Sequence, residues 1–176
     1  MEKGYIQVYT GDSKGKTTAA LGLGLRAVGR GYTVWMYQFL KGAPSGELDS
    51  ISLLNGRFRV FRLAEEKKFF SALTGMEKEI LKTRLQGELR QVIEAMERES
   101  CDLLILDEIM GTIHAGLLTV AEVCALIDCK PPGMELVLTG RNAPRELLEK
   151  ADLVTEMCCI KHYMDAGVSA RDGIEK

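Results

Sequence analysis

Residues 11–18 decide the fold, and they read Gly11-Asp12-Ser13-Lys14-Gly15-Lys16-Thr17-Thr18. An apolar segment at residues 5–10 precedes them, and a helical pattern begins at Lys16. A glycine-rich loop between a strand and a helix is the context of a P-loop, where backbone N–H groups and the positive helix end form an anion site. The sequence therefore predicts that these eight residues bind the phosphates of a nucleotide. The competing interpretation is a glycine-rich turn with incidental basic residues.

Two side chains of this loop have distinct predicted roles. Lys16 lies along the phosphates as a point charge, and the Thr17 hydroxyl is a magnesium ligand at the start of the helix. Only three residues separate Gly11 from Gly15, whereas the common P-loop pattern has four. The loop is one residue short, so hydrolysis at the terminal phosphate does not follow from it.

The remaining chain alternates short apolar runs with longer helical patterns, which is typical of parallel strands covered by crossover helices. We therefore predict an α/β fold of the P-loop (RecA-like) type. It has a mostly parallel six-stranded sheet with helices on both faces, in a single domain over residues 1–176. The predicted strands are residues 5–10, 33–39, 58–63, 103–106, 135–139 and 153–157, and the predicted helices are residues 16–29, 47–54, 76–98, 120–127 and 144–150.

Local signals support three of the helices. Thr74 with Glu77, and Thr119 with Glu122, each form a capping box. Pro144 is expected in the first turn of the last helix, where its missing N–H costs little. The long helix carries apolar residues at helical spacing, which we expect to face the core: Met76, Ile80, Leu85, Leu89, Ile93 and Met96.

Composition limits the possible functions. The 176 residues are 46% hydrophobic and 27% charged, which excludes disorder as the main state. A formal net charge of −2 lacks the basic excess of a nucleic-acid-binding protein. No apolar run approaches the ~18 residues of a membrane helix, and the first residues leave no room for a signal peptide. We expect a cytoplasmic protein without nucleic-acid or membrane partners.

The five cysteines form no CxxC pair. In a chain of this size they are expected to be reduced and mostly buried. Structural zinc is not expected, because the cysteines lack the paired spacing that is typical of a zinc site.

Charged residues follow the later strands. Asp107 and Glu108 come directly after the apolar run 103–106, the Walker B pattern, where a carboxylate can hold magnesium. The sequence leaves open which acid contacts the ion, and Asp107 is alternatively a helix cap. Arg141 follows the next strand and either binds a phosphate oxygen or is a surface arginine. His162 is more often a packing or solvated residue in such a tail. The irregular segment 65–75 is a candidate substrate loop.

Several motifs occur in a characteristic order along the whole chain. They are the short P-loop, Tyr37-Gln38-Phe39-Leu40-Lys41-Gly42, Leu106-Asp107-Glu108, Leu138-Thr139-Gly140-Arg141, Lys161-His162 with Asp165-Ala166-Gly167, and Gly173-Ile174-Glu175. Together they make the chain similar to the P-loop type of ATP:corrinoid adenosyltransferase. The resemblance departs from the family pattern at Ser13, Ser71 and Arg171.

This resemblance implies transfer of the 5′-deoxyadenosyl group of ATP to cobalt(I) of a reduced corrinoid, with release of triphosphate and with Mg²⁺ or Mn²⁺. It implies that ATP is bound in reverse relative to other P-loop proteins. Further implications are a homodimer and a flavodoxin-like electron donor. The residues that the resemblance assigns are Lys16 and Arg141 for catalysis, Gly11 to Thr18 and Arg141 for the nucleotide, Thr17, Glu108 and Asp107 for the metal, and Phe69, Phe70 and His162 for the corrinoid.

A strongly nucleophilic cobalt(I) needs no general base, which agrees with the lack of an obvious acid–base pair in the sequence. Two other functions remain open at this point. The chain is alternatively a P-loop kinase or ATPase, or a nucleotide- or corrinoid-binding protein without catalysis.

Overall fold

The computed structural model describes residues 1–42, 44–62 and 73–175. Six strands form one sheet: β1 (Ile6–Thr10), β2 (Val34–Gln38), β3 (Phe58–Arg62), β4 (Leu103–Asp107), β5 (Glu135–Thr139) and β6 (Leu153–Glu156). The helices of the described residues are α1 (Lys16–Gly29), α2 (Gly46–Ser52), α3 (Gly75–Glu97), α4 (Ile109–His114), α5 (Val120–Asp128) and α6 (Arg145–Lys150), and a 3-10 helix spans Tyr163–Ala166. None of these helices is long and apolar enough to cross a membrane.

The sheet has the order β3-β2-β4-β5-β1-β6, and every neighbouring pair is parallel. The predicted α/β fold with six strands is therefore confirmed. In parallel strands all carboxyl ends meet at one edge, where ligands bind in open α/β sheets. The register sets Gln38 beside Asp107 and Tyr9 beside Thr139, so the residues that follow these four strands converge on that edge.

Helices cover both faces of the sheet, because successive residues of a strand point to opposite sides. Val34 and Met36 of β2 pack with Ala20 of α1 in one buried cluster. Tyr37, the next residue of β2 after Met36, packs in the second cluster with Leu85 of α3. The two clusters form the core on the two sides of the sheet.

The prediction of which residues of α3 face the core is wrong for the N-terminal end of the helix. Both capping boxes are present, but Met76 and Ile80 are 78% and 64% exposed. The buried stripe of the helix begins one position after Ile80 and consists of Leu81, Leu85, Leu89, Val92 and Met96. Both sets of residues have helical spacing, so the spacing alone does not select the face that is buried.

Other differences from the sequence prediction are local. The sequence pattern does not predict α4, because six residues are too few for a period. Pro144 is the N-cap of α6, one position before the first turn. The apolar residues Leu153 and Val154 lie exposed on the edge strand β6.

The cysteines are all free, but the expectation that most are buried is wrong. Cys101 is buried and Cys124 half-buried, whereas Cys129, Cys158 and Cys159 are exposed. Burial raises the pKa of the Cys101 thiol to about 12, so this thiol stays protonated at neutral pH.

Candidate active site

The P-loop lies against the end of β6, and this contact requires two glycines. Gly11 has a φ of 98°, and a Cβ there would lie 2.4 Å from the carbonyl oxygen of Met157. Gly15 has a φ of 122°, and a Cβ there would meet the Met157 sulfur at 3.1 Å. The Ser13 N–H donates to the Met157 carbonyl at 3.0 Å. Met157 therefore fixes the loop in a conformation that residues with side chains rarely adopt.

Lys16 is folded back onto the loop. Its ammonium donates to the carbonyl oxygens of Gly11 and Ser13, both at 2.6 Å, and the residue is only 5% exposed. Burial lowers the pKa of Lys16, Arg141 lowers it further, and Glu108 opposes the shift. The loop carbonyls thus hold the ammonium where phosphate oxygens can replace them.

Asp107 at the end of β4 is fully buried and hydrogen-bonded through both oxygens. Its Oδ1 accepts from the hydroxyls of Thr17, at 2.9 Å, and Thr139, at 2.7 Å. Its Oδ2 accepts from the ammonium of Lys41 at 2.6 Å and lies 3.5 Å from Nε2 of Gln38. The ends of β2, β4 and β5 and the start of α1 therefore meet at one carboxylate.

Glu108 occupies a different position from its neighbour. It has a φ of 63°, in the left-handed region, and is the N-cap residue of α4. Its N–H donates to the Thr139 hydroxyl at 3.0 Å, and its half-buried side chain lines the cleft at the P-loop. The turn lets Asp107 face the buried cluster while Glu108 faces the cleft.

These residues fit a hard divalent cation. Hydroxyl and carboxylate oxygens are the protein ligands that Mg²⁺ and Mn²⁺ prefer, and Mg²⁺ commonly takes only one or two carboxylates plus phosphate oxygens. The Lys41 ammonium contacts Thr17 at 2.9 Å and Asp107 at 2.6 Å, so a positive charge is already stabilised at this position. No group of three or more His, Cys, Asp or Glu side chains that could hold a metal exists in the described part of the chain. Phosphate oxygens would have to complete the coordination.

An open cleft of about 1480 Å³ contains most of the predicted site. It is lined by the P-loop from Asp12 to Thr18, by Lys41 and by Glu108. Arg141 is an exposed residue at the same cleft. It follows Gly140, which has a φ of 148°. A Cβ at this position would lie 2.7 Å from the Cβ of Met110, so only glycine fits. The structure thus brings Arg141 to the P-loop side of the sheet edge.

The C-terminal segment lines part of the cleft. The ammonium of Lys14 donates to Glu175 at 3.1 Å and to the Ile174 carbonyl at 3.2 Å, and it lies 3.4 Å from the Tyr163 hydroxyl. Glu175 also accepts from Arg171 and Tyr163, and together these donors lower the pKa of its carboxyl group. Lys14, a predicted phosphate ligand, is therefore held by this segment.

His162 lies at the same cleft but has a structural contact. Its Nδ1 accepts from the Met164 N–H at 3.1 Å and caps the 3-10 helix. Phe69 and Phe70, the other predicted corrinoid contacts, and most of the candidate loop 65–75 lie outside the described residues.

Three residues of the site are not singled out by the sequence prediction: Lys41, Thr139 and Gln38. Each of them belongs to one of the sequence motifs, but the sequence assigns it no role. Their shared signal is a polar side chain at or just after the carboxyl end of a strand, the same position that indicates Asp107 and Arg141.

Comparison with known proteins identifies the family. Residues 2–175 match the model of the family described as ATP:corrinoid adenosyltransferase BtuR/CobO/CobP. The chain belongs to this family. It is 36% identical to the corrinoid adenosyltransferase of Escherichia coli K12, over 99% of this chain and 86% of the relative. It is 33% identical to the corrinoid adenosyltransferase CobA of Salmonella typhimurium LT2, with the same coverage. As a family member the chain is a corrinoid adenosyltransferase, an alkyl-transferring enzyme.

Solved structures support the fold. The flagellar accessory protein FlaH of Methanocaldococcus jannaschii has a TM-score of 0.59 at 15% identity and covers 89% of this chain and 72% of its own. The KaiC-like protein PH0186 of Pyrococcus horikoshii has a TM-score of 0.57 at 14% identity, covering 89% and 73%. At these identities the likeness concerns the P-loop fold alone.

Proposed function

We propose that the cleft carries out adenosyl transfer by direct displacement at the ribose. Cobalt(I) of the reduced corrinoid donates its electron pair to the 5′-carbon of ATP, the bond from that carbon to the triphosphate oxygen breaks, and triphosphate leaves with the bond electrons. The observation that carries this proposal is the group of cationic side chains around the P-loop. Arg141 is near enough to Lys16 for its charge to contribute to the lowered pKa of Lys16.

Lys16 and Arg141 have the same chemical task in this proposal. The triphosphate leaving group gains negative charge as the bond breaks, and fixed cations stabilise that charge more in the transition state than in the ground state. The P-loop from Gly11 to Thr18 holds the phosphates. A loop one residue short of the common pattern supports a nucleotide placed in the reverse direction, with the 5′-carbon directed away from the loop toward the corrinoid.

Thr17, Asp107 and Glu108 would hold Mg²⁺ or Mn²⁺ together with the phosphates. Such an ion supplies further neutralisation of the triphosphate. Thr17 and Asp107 lie in hydrogen-bond contact, and Glu108 lines the same cleft, which supports the donor set. We assign the direct contact to Glu108 and Thr17, and a supporting role to Asp107, because Asp107 already accepts from two hydroxyls.

The remaining parts of the function rest on family membership. Phe69, Phe70 and His162 are the proposed corrinoid contacts, with His162 at the cleft. A flavodoxin-like protein is the proposed electron donor, and the active form is a homodimer. The five free thiols favour the reducing conditions of the cytoplasm.

An anaerobic incubation with ATP, Mg²⁺ and chemically reduced cobalamin tests the reaction. We expect the spectrum of a light-sensitive adenosylated corrinoid, and inorganic triphosphate in equal amount by ion chromatography. ADP and phosphate without any change of the corrinoid would show phosphoryl transfer and overturn the proposal. Binding of ATP without any product would indicate a protein without catalysis.

A further inference from the structure

Lys41 reaches the Walker B carboxylate through an unusual turn. It follows β2 after Phe39 and Leu40, and Leu40 has a φ of 57°. The left-handed region is a true exception for a branched residue of this size, and such strained residues cluster at functional sites. The turn places the Lys41 ammonium 2.6 Å from Oδ2 of Asp107 and 2.9 Å from the Thr17 hydroxyl.

The hydrogen bonds of this cluster place a cation beside the oxygens that a metal ion would use. The Thr17 hydroxyl donates to Asp107, and its oxygen accepts from Lys41 on one of its two lone pairs. Oδ1 of Asp107 accepts from two hydroxyls, and Oδ2 faces Lys41 and Gln38. A divalent ion at Thr17 would lie next to the ammonium, and repulsion between the two positive charges favours displacement of Lys41.

We propose that Lys41 is the resident cation of the metal position. In the nucleotide-free protein its ammonium keeps free divalent ions away from Thr17 and Asp107, and it withdraws only when an ion arrives with the triphosphate. This inference rests on the proposed metal role of Thr17. Its consequence is an ordered site, in which metal and nucleotide enter together.

The triphosphate supplies what a free ion lacks. Its oxygens complete the coordination shell, and its negative charge offers the displaced ammonium a new partner. Lys41 is 27% exposed and lines the same cleft as the P-loop, and its flexible four-carbon stem allows the ammonium to move within that cleft. The exchange therefore leaves neither the ammonium nor Asp107 without a partner of opposite charge.

Gln38 supports the carboxylate when Lys41 leaves. Its Nε2 lies 3.5 Å from Asp107 and 3.4 Å from Glu47, and its Oε1 accepts from Arg62 at 3.3 Å. The contacts to Glu47 and Arg62 fix the direction of the buried amide, so its N–H groups face the two carboxylates. Gln38 is thus the neutral part of the cluster and Lys41 the exchangeable charged part.

Electron paramagnetic resonance titration of Mn²⁺ tests the inference without turnover. We expect weak binding to the nucleotide-free wild-type protein and strong binding when ATP is present. Lys41→Gln and Lys41→Met should bind free Mn²⁺ at least about tenfold more tightly than the wild type. Lys14→Gln is the matched control for the nucleotide-free titration, because it removes the same charge from the same cleft without touching Asp107, and it should change the affinity for free Mn²⁺ much less.

Thermal unfolding provides a second measurement. In EDTA, Lys41→Met should unfold at a lower temperature than the wild type, because Asp107 loses its counter-charge, and Mn²⁺ should raise its midpoint while leaving the wild-type midpoint unchanged. If Lys41→Met does not fold, Lys41→Gln retains an amide donor for Asp107 and takes its place.

Two results would overturn the resident-cation proposal alone. One is tight binding of free Mn²⁺ to the wild type, and the other is an equal gain in Lys41→Gln and Lys14→Gln. Absence of Mn²⁺ binding even with ATP would instead overturn the proposed metal role, and with it the inference.

Discussion

Two lysines of one cleft each contact a carboxylate, and the two contacts differ in burial. Lys41 meets Asp107 at 2.6 Å, and the carboxylate has no exposed surface. Lys14 meets Glu175 at 3.1 Å, and the side chains of this lysine and carboxylate are 42% and 16% exposed. The first carboxylate accepts from residues of three other parts of the fold, whereas the second is held largely by its own C-terminal segment.

The difference separates a contact on which the fold depends from one that solvent can replace. Removing one partner of a buried pair leaves an uncompensated charge, which is expensive, whereas exposed pairs contribute little and are screened by salt. Nucleotide binding must therefore act differently on the two lysines. Lys41 can leave Asp107 only if another cation takes its place, whereas water can take the place of Lys14 at Glu175.

The largest expected effect is on stability. Asp107→Ala removes the acceptor of Thr17, Thr139 and Lys41, and because it leaves buried and half-buried hydroxyls unpaired it should lower the free energy of unfolding by about 2–5 kcal/mol in urea titrations. Asp128→Ala is the control, because Asp128 contacts Lys150 at 2.5 Å on the surface. If the two variants lose the same free energy of unfolding, burial of the carboxylate does not determine how much such a contact contributes to stability.

Lys16→Ala should have the next largest effect, on turnover. Loss of one fixed cation at the leaving group is expected to reduce kcat by roughly 10²–10³ in the anaerobic assay. The urea midpoint should change much less than in Asp107→Ala, because the contacts of Lys16 are with loop carbonyls and not with a buried charge. Lys150→Ala is the surface control. Turnover near the wild-type rate would exclude Lys16 from the mechanism.

A moderate effect is expected from pH. Burial lowers the pKa of Lys16, and phosphate binding requires the charged ammonium. As pH rises through this lowered pKa, the free enzyme loses the proton, so ATP binding must take one up and affinity should fall about tenfold per pH unit. Calorimetry in two buffers of different ionisation enthalpy measures the uptake. Lys16→Met should abolish it, and wild-type binding without uptake at alkaline pH would contradict the assignment.

The smallest effect is expected at the exposed contact. Glu175→Gln releases Lys14 toward the phosphates and should tighten ATP binding only about two- to fivefold at low salt, with the difference lost at high salt. Glu149→Gln, at the surface pair with Arg145, serves as the control. A large loss of stability in Glu175→Gln would show that the fold depends on the Lys14–Glu175 contact as it does on the Lys41–Asp107 contact.

Strands are easier to predict from this sequence than the buried sides of its helices. All six strands carry short apolar runs with turn residues between them, and their positions agree with the structure. Met76 and Ile80 have the right spacing for the core but are exposed, and α4 is too short to show a period. Spacing reports which residues share a face, and only the position of the helix on the sheet decides whether that face is buried.

The P-loop, the acid pair after β4 and the order of motifs are properties of the sequence alone, because strand, loop and helix signals are local and coincide at residues 5–29. These features are sufficient to predict the fold class and the enzyme family. They do not determine that Lys41 bridges Thr17 and Asp107, which lie 24 and 66 positions away along the chain. That contact depends on the parallel register of β2 and β4 and on the left-handed turn at Leu40. Both arise only when the sheet assembles, since register is set by packing between strands and not within them.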